Sequence, residues 1–146
     1  MYYKLLNMLT ATCLCGACHL TIQEQERTII CHCLICRKLT STAFSMGTVV
    51  TNTAFNVERG EPKQRSIVGG SGASMTLFYC GDCGCHLWVE WPLLPQKKVV
   101  CSGAIDGRDA FELEGIRPCA EVWVKRRPTW LCALEGAAQW DENVKR

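Results

Sequence analysis

A small, mainly β domain is predicted for this chain, on three observations. Eight short runs rich in β-branched and aromatic residues recur along the sequence, which suits pleated, half-buried surfaces. Turn-forming residues separate them at close intervals. Nine of the twelve cysteines stand in three short clusters with the spacing of metal-ligand turns.

The expected strands, in order, are Ala17–Gln23, Arg27–Cys31, Ala43–Val50, Ala54–Glu58, Ser74–Cys80, His86–Trp91, Lys97–Ser102 and Ala120–Lys125. Gly69-Gly70-Ser71-Gly72 reads as a hairpin turn. It lacks the Lys-Ser/Thr ending of a phosphate loop, so an anion nest is the weaker reading. Helix signals are sparse. Leu34–Leu39 has the length for one or two turns directly after a cysteine cluster, and Glu135–Trp140 for another. The 146 residues are expected to form one zinc-binding domain, 1–146, with a core of about 11–140 and with 1–10 and 141–146 as terminal tails.

Composition excludes several classes. With 48% hydrophobic and 21% charged residues the chain is globular, not disordered. A net charge of +2 is too small to argue for nucleic acid or an anionic membrane as partner, and a small-molecule substrate is expected. No apolar run approaches the ~20 residues of a membrane span. Met1–Ala11 has a weak apolar stretch and no clear cleavage site, so a cytoplasmic protein is expected.

Twelve cysteines in a secreted protein would read as six disulfides, but Cys-x-Cys and Cys-x-x-Cys place thiols side by side. Such thiols converge on a metal more easily than they bridge distant strands. The first two clusters, Cys13-Leu-Cys15-Gly-Ala-Cys18 and Cys31-His-Cys33-Leu-Ile-Cys36, share C-x-C-x-x-C. Cys80-Gly-Asp-Cys83-Gly-Cys85 runs in reverse. Spacing alone permits several pairings. Cys80 and Cys83, followed by Gly84, form a zinc-knuckle turn, and Cys13 and Cys15, followed by Gly16, offer the complementary pair. These four make a closed structural site, with Cys18 and Cys85 expected in strands as small buried hydrophobes. Cys31, Cys33 and Cys36 remain as a triplet with one open position, the feature of a catalytic zinc. A closed alternative would recruit His32, Cys85 or a distant cysteine. Two Zn²⁺ per chain are therefore expected.

Other candidates are weaker. His32 lies between two ligands, so its ring is expected to point away, into a supporting hydrogen bond. His19 and His86 fall in strands, and Phe78, Trp88 and Trp91 read as core. Arg37 and Lys38 follow the triplet and are candidates to receive a substrate carboxylate. Cys101, Cys119 and Cys132 read as free thiols.

The motifs together resemble the glutathione-dependent formaldehyde-activating enzyme family. They are Cys13-Leu-Cys15-Gly16, Cys31-His32-Cys33-Leu-Ile-Cys36-Arg37-Lys38 and Phe78-Tyr-Cys80-Gly-Asp-Cys83-Gly84-Cys-His-Leu87, then Ser102-Gly103-Ala104-Ile105-Asp106 and Ala120-Glu121-Val122-Trp123 with Arg127 and Trp130. The likeness runs over roughly residues 13–140. It implies an Mss4-like fold of packed antiparallel sheets, like that of centromere protein V-type zinc domains. It also implies structural zinc at Cys13, Cys15, Cys80 and Cys83 and a second zinc at Cys31, Cys33 and Cys36. The implied activity is zinc-dependent carbon–sulfur lyase chemistry joining glutathione and formaldehyde into S-hydroxymethylglutathione, with glutathione as co-substrate. The chain departs from the family at Leu39-Thr40-Ser41-Thr42, which lacks a glycine many relatives carry, and at Cys85, where serine or threonine is usual.

Fold plus metal does not fix a reaction. The alternatives are a zinc lyase, isomerase or decarboxylase acting on a small metabolite without glutathione, and a non-catalytic binding module. Lys125-Arg126-Arg127 is the one basic cluster, too short for a nucleic-acid stripe. Glu121, His32 and bulk water are the candidate general acids or bases.

Overall fold

A computed structural model describes residues 8–106 and 113–144. The strands are β1 (Leu9–Thr12), β2 (His19–Ile22), β3 (Arg27–Cys31), β4 (Ser45–Thr51), β5 (Phe55–Arg59), β6 (Lys63–Val68), β7 (Ser74–Tyr79), β8 (His86–Glu90), β9 (Lys97–Cys101), β10 (Ala120–Val122) and β11 (Ala138–Trp140). One α-helix, α1 (Leu34–Thr40), follows β3. The mainly β class with one short helix is as expected.

Two sheets form. Strands β1-β2-β5 make a three-stranded antiparallel sheet, and β11-β10-β3-β4-β9-β8-β7-β6 an eight-stranded one. The larger sheet is antiparallel from β3 to β6, while β10 runs parallel to both β3 and β11. Period-2 alternation builds the core between them. Leu9 and Ala11 of β1 and Leu20 and Ile22 of β2 meet Val50, Leu87, Trp88 and Val100 of the large sheet. Phe78 stacks on Trp88 with ring centroids 4.3 Å apart. Trp91 is half-buried. In the middle of the sheet, the buried hydroxyls of Thr28, Thr48 and Ser102 bond in sequence at 2.9 Å each, so no polar group there is stranded.

All eight expected strands occur, with ends shifted by up to three residues. Three further strands were not expected. β1 lies partly in the stretch read as a tail, yet Leu9 is buried in the core and Asp106 receives hydrogen bonds from Thr10 and Thr12 at 3.1 and 2.6 Å. β6 is a polar edge strand, paired along its length with β7 through the Gly69–Gly72 hairpin turn. β11 replaces the helix expected over Glu135–Trp140. Gly136 sits at φ +80°, and Ala138 N donates to Cys119 O at 2.9 Å, so the unpaired edge of β10 captures the segment as a strand. The expected strand Ala120–Lys125 stops at Val122, because Trp123 turns left-handed at φ +58° and a 3₁₀ turn follows over Val124–Arg126. At the other end, Glu142 and Asn143 accept hydrogen bonds from Trp123, so the stretch read as a C-terminal tail is tied down at least to residue 143. Residues 1–7 of the first tail and 145–146 of the second lie outside the described residues.

Candidate metal centres

Cys13 and Cys15 sit on the turn between β1 and β2. Cys13 N donates to Cys18 O at 3.1 Å, and Gly16, at φ +76°, donates to Cys13 O at 2.9 Å. The β7–β8 connection repeats the device: Cys80 N bonds Cys85 O, and Gly84, at φ +74°, bonds Cys80 O, both at 2.9 Å. Only a residue without Cβ takes these left-handed corners cheaply. The two turns face each other, one from each sheet, and the sulfurs of Cys13, Cys15, Cys80 and Cys83 all lie within 4.8 Å of one another. Cys13 Sγ is 3.5 Å from Cys15 Sγ, which is 3.8 Å from Cys80 Sγ. Four sulfurs tetrahedral about Zn²⁺ at ~2.3 Å stand about 3.8 Å apart, whereas a disulfide closes to ~2.05 Å. The donor set therefore fits zinc, and all twelve cysteines are free thiols.

Electrostatics say the same. Burial disfavours a Cys13 thiolate, but the Cys18 N–H and the neighbouring thiols outweigh it and hold the group down to about 6. Cys15 goes the other way, to about 12: the Ala17 N–H favours its thiolate, but Cys13, burial and the other thiols prevail. Without a cation the cluster keeps some protons, because adjacent thiolates repel; a divalent cation removes that conflict.

Cys18 is buried in the core and Cys85 half-buried against it. Both stand one residue before β2 and β8, outside the strands where they were expected.

The second cluster forms where β3 runs into α1. Cys31 ends β3, Cys33 caps the helix and Cys36 lies in its first turn, so a strand end and one helical turn bring three sulfurs within 4.8 Å. Cys33 Sγ accepts the Cys36 N–H at 3.3 Å, as a capping side chain does. The Cys31 and Cys36 thiols donate to it, burial opposes, and the Cys36 and Ile35 N–H groups add, so Cys33 is held down to about 2. Cys31 is correspondingly pushed far up by Cys33 and Cys36. Cys36 rises to about 11: the Cys31 thiol lowers it, but Cys33 and burial win. Cys33 is thus the sulfur whose hydrogen bonds favour the thiolate. No fourth Cys, His, Asp or Glu joins the three sulfurs among the described residues. The set fits a metal bound by three thiolates.

Three neighbours shape this centre. His32 is fully buried, and its Nε2 meets Glu121 Oε1 at 2.9 Å. The β6–β7 turn leans on Cys33: a Cβ on Gly70 would lie 3.1 Å from Cys33 Sγ and 3.7 Å from the Trp123 ring. Trp123 Nε1 donates to Asn143 Oδ1 at 3.0 Å, and the Lys125 ammonium stands 5.1 Å from the centre of its ring. Sequence reasoning missed Gly70 and Trp123 as neighbours of the cluster. The hairpin turn was legible, but nothing local says which distant residue its tip will touch.

Arg37 and Lys38 are exposed on the last turn of α1 and form no ion pair among the described residues. His19 and His86 lie in β2 and β8. Trp130 is 74% exposed and closes nothing. Cys119 and Cys132 are exposed, Cys101 half-buried.

A crystal structure of a Rhodobacter sphaeroides protein, from a structural genomics programme, superposes with a TM-score of 0.58 at 15% identity, covering 90% of this chain and 98% of that one. At that identity the likeness shows the fold alone. No curated protein matches the sequence. The model of the glutathione-dependent formaldehyde-activating enzyme family matches residues 8–126, a span that holds both cysteine clusters and the strands that carry them. The chain belongs to that family.

Proposed function

We propose that this chain is a zinc-dependent carbon–sulfur lyase-type enzyme acting on the glutathione adduct of a small aldehyde. In this reading Cys13, Cys15, Cys80 and Cys83 hold a structural zinc, and Cys31, Cys33 and Cys36 hold a second zinc at the reacting centre. The observation that carries it is the three-sulfur convergence at the head of α1, with no fourth protein ligand among the described residues. A closed binding module has no need of such a vacancy in its donor set.

In the forward reaction the thiol of glutathione loses its proton, its sulfur forms a bond to the aldehyde carbon, and the carbonyl π pair moves to oxygen, which takes up a proton. The reverse breaks the same carbon–sulfur bond. Bound zinc supplies positive charge that favours thiolate over thiol. The chain's own residues do the rest. Cys33, capping α1, keeps its sulfur aimed by the Cys36 N–H, and its neighbours donate to it. Cys33 is buried, with the turn at Gly70 packed against its sulfur and the Trp123 ring beside that turn. Arg37 and Lys38, exposed and without ion pairs, are assigned to a carboxylate of glutathione. Cysteines that serve a metal rather than disulfides suit a reducing compartment such as the cytoplasm, and no helix among the described residues is long and apolar enough to cross a membrane.

The test is turnover of formaldehyde with and without glutathione, in protein of measured zinc content. Two zincs and thiol-dependent turnover, abolished by Cys33→Ser in folded protein, are expected. Turnover of a small metabolite indifferent to glutathione would select the thiol-independent lyase, isomerase or decarboxylase instead.

A further inference from the structure

His32 occupies the one position between Cys31 and Cys33, so its backbone is the link that spaces two of the three sulfurs. Its N–H donates to Val122 O at 3.0 Å, which ties that link to β10. Its ring is fully buried, and neither ring nitrogen converges with the sulfurs. Nδ1 has no partner, so the ring is held by polar contact at Nε2 alone. A carboxylate only accepts, so Nε2 donates to Glu121 Oε1.

Glu121 is itself 2% exposed, and its second oxygen is saturated. Oε2 accepts from Gln139 Nε2 at 2.7 Å, from Leu134 N at 2.8 Å and from Arg127 Nη1 at 3.1 Å. Each donor comes from the chain after β10. A buried carboxylate with one oxygen so occupied has a fixed direction for the other. The carboxyl is held below its usual range: burial opposes ionisation, and the bonds from His32, Gln139 and Leu134 with the Arg127 charge overcome it.

We propose that Glu121 is a positioning residue for the Cys31–Cys33–Cys36 centre, acting through the His32 ring. The segment Arg127–Gln139 orients the carboxylate, the carboxylate orients the ring, and the ring fixes the turn that spaces the ligand sulfurs. This rests on the reading that the three thiols hold a metal. Groups that orient metal ligands from behind are worth ~10–100-fold in affinity when removed.

The experiment follows release of metal to a competing chelator from fully zinc-loaded protein, where the phase missing in Cys36→Ser belongs to the three-thiol centre. His32→Leu should speed that phase roughly tenfold and leave the four-thiol phase unchanged. His32→Gln, whose amide N–H can reach the place of Nε2, should restore it. Gln139→Ala, on the exposed side of the network, should give a smaller acceleration of the same phase. If His32→Leu does not fold, His32→Gln and Gln139→Ala decide. An unmoved three-thiol phase in Gln139→Ala, equal acceleration of both phases, or no rescue by His32→Gln relative to a folded His32→Leu would each overturn the inference. One zinc per chain in the parent protein would overturn the metal reading and the inference with it. Two zincs, this release pattern and no glutathione-dependent turnover would overturn the proposed reaction and leave the inference standing.

Discussion

At the scale of the residue, burial and hydrogen bonding sort chemically identical groups into different roles. Cys33 and Cys36 are three residues apart, yet the first is held down to about 2 and the second pushed up to about 11. Glu121 shows the same logic with a carboxylate. Its folded acidity is greater than an unfolded glutamate's, so the folded state binds fewer protons through the carboxylate range. The stabilisation is therefore present in full above the ordinary glutamate value and is lost as pH falls through the depressed one. Glu121→Gln should be less stable than the parent by about 1–3 kcal/mol near neutrality, since buried donors lose a charged acceptor. The gap should close in acid. Urea midpoints for both proteins in a Cys36→Ser background, which removes the three-thiol centre, check this across a pH series. A gap that stays constant would mean the carboxylate charge contributes nothing.

At the scale of the element, the strand ends matter more than the strands. β3 ends at Cys31, opposite Val122 of β10, and the residues that follow the two strands, Cys33 and Trp123, both lie against the turn at Gly70. The strands themselves were largely readable, because β2, β3, β8 and β9 carry β-branched and aromatic residues between clear turns. β6 was not, since Lys63–Val68 is a mostly exposed edge with no apolar alternation to detect. β11 was misread because Ala137, Ala138 and Gln139 favour helix locally, while the open edge of β10 decides otherwise. The cysteine clusters were legible since metal-ligand spacing is local. The Gly70 contact was not, being set by where a hairpin tip lands. That contact makes a prediction. Even a first Cβ at position 70 would come within 3.0 Å of Cys33 Cβ. Gly70→Val should cost about 1–3 kcal/mol by overpacking. It should also lift the turn from Cys33 and speed alkylation there, read by mass mapping after timed exposure to iodoacetamide. Unchanged labelling with unchanged melting would show that the turn does not press on the sulfur.

At the scale of the whole molecule, the two thiol clusters hold different things together. The four-thiol set joins the β1–β2 turn of the small sheet to the β7–β8 turn of the large one, across the core. The three-thiol set joins only the end of β3 to the α1 that follows it. A structural zinc contributes ~10 kcal/mol or more to folding. The net stability of an ordinary domain is only about 5–15 kcal/mol. Losing the four-thiol site therefore removes an amount comparable to the whole, and Cys15→Ser or Cys80→Ser should abolish the cooperative melting transition. Cys36→Ser breaks a local loop whose strand is still paired on both sides, by β4 and β10. It should melt within a few degrees of the parent, carry one zinc and lose turnover. Calorimetry with zinc analysis on the three variants separates the roles. Equal destabilisation by Cys36→Ser and Cys80→Ser would mean that both metals staple the fold, and that the head of α1 is no more an open centre than the knuckle opposite.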